Sequence, residues 1–81
     1  MVEGRVLVVE RDAAAGRTVA WALRERGYDA ASAAGVAEMR AQLAARPRDV
    51  VLLDLEVAEA AGGGEAAYRT ICAGEGPAPA V

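Results

Sequence analysis

Two apolar runs, Val6-Leu7-Val8-Val9 and Val50-Val51-Leu52-Leu53, constrain the fold more than any other feature of this 81-residue chain. Both are short, contain β-branched side chains and are apolar at every position, so neither face of either strand can be left in water. Such strands belong to a parallel sheet with helices on both sides, and the first of them is expected to be central. The sequence between them supplies the helices. From Asp12, which can cap the first free N–H groups, Ala15, Val19, Ala22 and Leu23 recur at helical spacing until Gly27, predicting a helix from about Ala13 to Arg26. Tyr28 to Ser32 is a short strand, and Val36, Met39, Leu43 and Ala44 mark a second helix that Arg46-Pro47-Arg48 ends.

The second apolar run is expected to lie in a strand from Asp49 to Leu55. Gly62-Gly63-Gly64 then closes a loop, Glu65 to Cys72 forms a third helix, and Ala73 to Pro79 is loop by its Gly and Pro content. Ala80 and Val81 open a further strand. Strands alternating with helices give an α/β fold with right-handed crossovers.

Composition narrows the chemistry. All nine basic residues are Arg and face twelve acids, a net charge of −3 that gathers no phosphate backbone, so direct nucleic-acid binding is not expected. The chain is 54% hydrophobic and 26% charged, too apolar for disorder, although much of that count is Ala. One domain with a thin core follows, since a chain this short buries only about 60% of its unfolded surface. Without His there is no Ser/His or Cys/His pair and no His-bearing metal site. The lone Cys72 cannot close an internal disulfide, which suits a reducing, cytoplasmic setting. No apolar run approaches the roughly 20 residues of a membrane-crossing helix, and the start Met1-Val2-Glu3-Gly4-Arg5 lacks a secretory pattern. The glycines match no phosphate-binding fingerprint, and Trp21 and Tyr68 have no interleaved basic residues that would make them base-stacking platforms.

In an open parallel sheet, reactive groups collect outside the carboxyl ends of the strands, where the connections reverse direction. Glu10 and Asp12 follow the first strand and Asp54 ends the third, so carboxylates from distant segments are expected to converge. Converging carboxylates repel, and Mg²⁺ is the usual remedy for an all-oxygen site. A carboxylate beside such an ion can act as nucleophile toward a phosphoryl group, and Asp54 is the residue placed for it.

These residues resemble the receiver domain of bacterial two-component response regulators. The resemblance rests on Val6 to Asp12, on Arg17 and Leu23 followed by Gly27-Tyr28, and on Pro47 to Leu55. It implies a partial flavodoxin-like (βα) three-layer fold, about the first two thirds of a receiver. It further implies that Asp54 accepts phosphate from a histidine kinase or phosphotransfer protein. Glu10 would be the first acidic residue of a Mg²⁺ site that Asp54 shares, with the Glu56 backbone carbonyl facing the metal and Asp12 nearby, more a helix cap than a ligand. Two departures stand out. Arg11 occupies the second acidic position, putting a cation where a ligand is expected, and Val57 to Gly62 replaces the usual Met-Pro and Asp-Gly.

A second reading is therefore carried beside the first. Arg11, lying near Asp54 and Glu10, would supply the positive charge itself, giving a pseudo-receiver that acts as a phosphorylation-independent interaction module. An inactive domain fragment is a third reading, and none of the three is an ordinary enzyme. A sheet ending near Val81 would leave the third strand as an apolar edge, so self-association or a completing segment is expected.

Overall fold

The structure, a computed structural model, describes residues 4–66, 69, 80 and 81. Six elements follow in order: strand β1 (Arg5–Val9), helix α1 (Ala13–Glu25), strand β2 (Asp29–Ala33), helix α2 (Val36–Ala45), strand β3 (Val50–Leu53) and helix α3 (Leu55–Ala60). The strands form a parallel sheet ordered β2-β1-β3. Val6 stands opposite Ala30 and Val50, and Val9 opposite Ala33 and Leu53. The chain is thus α/β with β1 central, in the order of a partial flavodoxin-like sheet.

Alternation along β1 divides the core into two layers. Leu7 and Val9 join Ala33, Val51, Met39 of α2 and Val57 of α3 on one face, with Ala31, Val36, Leu43 and Leu53 around them. Val6 and Val8 face the other way and pack with Ala30 and Ala20 of α1, beside Leu23 and Val50. Leu7 and Met39 are completely buried, each worth about 1.5–3 kcal/mol in apolar burial.

The buried face of α1 differs from the expected one. Gly16 and Ala20 are buried and Leu23 is half-buried, whereas Ala15 and Ala22 are exposed and Val19 is 42% exposed. Close approach explains the choice, because a Cβ on Gly16 would lie 3.2 Å from Cβ of Glu10 and 3.5 Å from Cβ of Ser32. The smallest residues, not the largest apolar ones, mark the side that meets the sheet.

Element boundaries also move. β2 begins and ends one residue later than predicted, and β3 stops at Leu53. The chain turns into α3 at once, with Asp54 as its N-cap, where the spacing had suggested continued strand and loop. Leu55, read as the last strand residue, is the first of this helix and 80% exposed. Gly62 and Gly63 then take φ values of 105° and 106°, a left-handed turn that favours glycine. Residues 64–66 and 69 are helical, as expected for the segment from Glu65; Ala67, Tyr68, Ile71 and Cys72 lie outside the described residues.

Ala80 sits beside β3 in a parallel bridge to Val50, its N–H donating to the Asp49 carbonyl at 2.8 Å and its carbonyl accepting from Val51 N–H at 2.7 Å. The edge expected to be open is therefore taken up at its start, while Leu52 remains 44% exposed. No described helix is long and apolar enough to cross a membrane.

At the amino end of the sheet, the Asp29 carboxylate meets Arg46 at 3.2 Å and Arg5 at 3.9 Å. Arg48 beside them is only 6% exposed. Its Nη2 donates to Gln42 Oε1 at 3.2 Å, but Nε and Nη1 have no partner among the described residues. Burial lowers the pKa of this guanidinium, Asp29 opposes that, and Arg46 and Arg5 add to it. Unpaired buried donors cost about 1–3 kcal/mol each, and apolar replacements of incompletely paired buried ions are often neutral or stabilising. Arg48→Met is accordingly expected to leave the urea midpoint unchanged or raise it. A loss of stability above about 1 kcal/mol would show instead that the guanidinium holds this end together.

Candidate functional site

The sheet ladder itself positions two acids. Glu10 N–H donates to the Ala33 carbonyl at 3.0 Å, and Asp54 N–H donates to the Val9 carbonyl at 2.9 Å. Each bond extends the pairing one residue past a strand end, so Glu10 and Asp54 stand together at the carboxyl edge. The helices that follow β1 and β2 lie on opposite faces, which makes this the switch point of the sheet.

Asp54 is half-buried and uses both carboxylate oxygens. Oδ1 accepts from Glu56 N–H at 3.1 Å, which caps α3, and Oδ2 accepts from Arg11 N–H at 3.2 Å. Its carbonyl also receives Ala58 N–H at 3.0 Å. These contacts hold the carboxyl below the ordinary aspartate range. The Glu56 N–H contributes most and the Arg11 N–H next; burial opposes them, and the Glu10 side chain and the charge of Arg11 add smaller lowering effects. Asp54 is therefore an anion at neutral pH. Glu10, half-buried at its side, also accepts from Asp12 N–H at 3.3 Å.

Of the remaining residues singled out in the sequence, Arg11 and Glu56 make contacts that the sequence did not suggest, whereas Asp12 caps α1 as expected. The Arg11 guanidinium pairs with the Glu56 carboxylate, not with Asp54 or Glu10, and its charge is the smallest of the influences on Asp54. Both partners are more than half exposed, so the pair itself is worth about 0–1 kcal/mol. Glu56 contributes its N–H to Asp54 and its side chain to Arg11. As the second residue of α3, its carbonyl runs toward the helix's carboxyl end, away from Asp54. Asp12 turns to α1, where Oδ1 accepts from Ala14 N–H at 3.0 Å and Ala15 N–H at 3.2 Å.

Of the expected Mg²⁺ donors, only Glu10 and Asp54 are brought together. The ion needs near-octahedral oxygen ligation, usually through one or two carboxylates that keep its waters. Among the described residues no group of three acidic, His or Cys side chains is gathered to hold a metal. Glu10 and Asp54 do converge, but Asp12 caps a helix and Glu56 is held by a cation.

A cleft of about 150 Å³ adjoins Glu10, lined also by Gly16, Arg17, Ser32 and Glu38. Glu38 reaches back to Ala34 N–H at 3.0 Å and so closes the start of α2. An acid three places after the cap residue, here Gly35, is the sequence signal for such a contact.

Two measurements test this geometry. Since the folded pKa of Asp54 is depressed, its contribution to stability is present above the unfolded value of about 4 and is lost as pH falls through the folded value. Urea unfolding of the native chain should thus weaken more steeply below about pH 4 than that of Asp54→Asn; parallel curves would mean that the two N–H groups do not favour the anion. Asp12→Ala should cost about 1 kcal/mol (roughly 0.5–2) through the lost cap of α1, measured in the same way, and an unchanged midpoint would remove that role.

No family model matches this chain, and no curated protein or solved structure is significantly similar to it, so the reading of the site rests on its geometry.

Proposed function

We propose that this chain is a receiver-like module of two-component phosphorelay signal transduction, with Asp54 as the phosphoryl acceptor. The observation that carries this reading is the ionised, half-buried Asp54 held by the sheet ladder beside Glu10 at the switch point. In the reaction a carboxylate oxygen attacks phosphorus, the new O–P bond forms as the P–N bond of a donor phosphohistidine breaks, and the released imidazole takes a proton from water. The partner is a histidine kinase or phosphotransfer protein, in a cytoplasmic setting. A net charge of −3 supports a protein partner over nucleic acid.

A second reading has its own support. Arg11 paired with Glu56, and Asp54 spent on capping α3, favour a pseudo-receiver used for phosphorylation-independent association. The exposed Leu52 and Leu55 would then belong to the contact with a second copy or a completing segment.

Native mass spectrometry after incubation with a small-molecule phosphodonor decides between them. The expected result is one phosphoryl adduct on the native chain and none on Asp54→Asn. A folded native chain without adduct would overturn the acceptor role and leave the association reading, whose oligomeric state the same spectra report.

A further inference from the structure

We infer that Arg11 is the resident counter-cation of the acidic edge and that this site operates without a divalent metal. The inference deepens the proposed function and rests on it only where phosphoryl transfer is concerned. It starts from a charge problem: Glu10, Asp12, Asp54 and Glu56 place four carboxylates around the ends of β1 and β3. Such an edge needs positive compensation from somewhere.

Each carboxylate has an internal partner. Asp12 N–H serves Glu10, the first turn of α1 serves Asp12, and the N–H groups of Arg11 and Glu56 serve Asp54. The guanidinium of Arg11 serves Glu56. Arg11 thereby makes two contacts that no smaller or neutral residue would make together. Its main chain binds Asp54 and its side chain binds the residue two positions further on, so the loop after β1 is clasped to the turn after β3 by a group carrying a full positive charge. Arg17 adds a second guanidinium on the cleft beside Glu10.

A divalent ion entering here would meet that charge, and it would gain Glu56 only by displacing the guanidinium. The compensation belongs to the chain itself and needs no bound ion.

The test is a MgCl₂ titration of the full chain followed by backbone amide NMR, with NaCl at matched ionic strength as reference. The native chain should show no saturable shift at Glu10, Arg11, Asp54 or Glu56 in the millimolar range. Arg11→Asp should show one at these amides, with affinity at least roughly tenfold tighter. Arg11→Gln, which keeps the N–H contact and removes the charge, should fall between them and serves if the aspartate variant does not fold. Saturable millimolar binding by the native chain, or equal behaviour of all three proteins, would overturn the inference. The phosphodonor reaction repeated in excess EDTA separates the two proposals. An Asp54 adduct that forms only with Mg²⁺ sinks the inference and keeps the function, whereas Mg²⁺ binding gained by Arg11→Asp with no adduct in any protein keeps the inference and sinks the function.

Discussion

Everything in this structure depends on β1 being hydrogen-bonded along both edges and covered on both faces. Its register with β2 and β3 is set by side chains that alternate between two apolar layers, so a slip of one residue would turn Leu7 and Val9 toward α1 and Val6 and Val8 toward α2. The acidic edge inherits that precision. Glu10 and Asp54 are fixed by the next rung of the same ladder, at 3.0 and 2.9 Å, not by a loop of its own choosing. Groups carried at strand ends are held more closely than groups on free loops, which is what a reactive carboxylate requires.

The two ends of the sheet solve opposite electrostatic problems with different means. Among the described residues, cations at the amino end outnumber the acids they meet, and Arg48 is buried with two nitrogens unpaired. At the carboxyl end the carboxylates outnumber the cations, and backbone N–H groups do most of the stabilising. That choice has a chemical consequence for Asp54. Hydrogen bonds that lower its pKa keep it ionised, yet they also make its oxygens less basic and so weaker nucleophiles.

How much of this was legible in the sequence follows from which interactions leave a periodic trace. β1 and β3 were readable because burial on both faces demands an unbroken apolar run, and the capping role of Asp12 was readable because a cap is local. The buried face of α1 was not, since closeness to the sheet selects Gly16 and Ala20, residues that a search for large apolar side chains discounts. Helix α3 was missed because Leu55 extends the apolar run that precedes it, hiding the change of period; the cap at Asp54 and the helix-favouring Glu and Ala residues after it were the available signal. The pairing of Arg11 with Glu56 left no trace at all. Two exposed side chains 45 positions apart obey no spacing rule, and only the parallel order of β1 and β3 brings them together.

The double use of Asp54 decides how any experiment on it must be read. Its Oδ1 caps α3 and its Oδ2 holds the loop after β1, so the oxygens that would react are the ones that support the local fold. Esterifying either oxygen would weaken it as an acceptor, and the first turn of α3 and the Arg11 loop would both feel the change. Chemistry at this carboxylate is therefore inseparable from the conformation around it, whichever functional reading holds. Replacement by Ala would confound the two by removing cap and reactive group together. Asparagine keeps one acceptor oxygen at the capping position, where it serves about as well as aspartate, and so separates a lost reaction from a lost helix start.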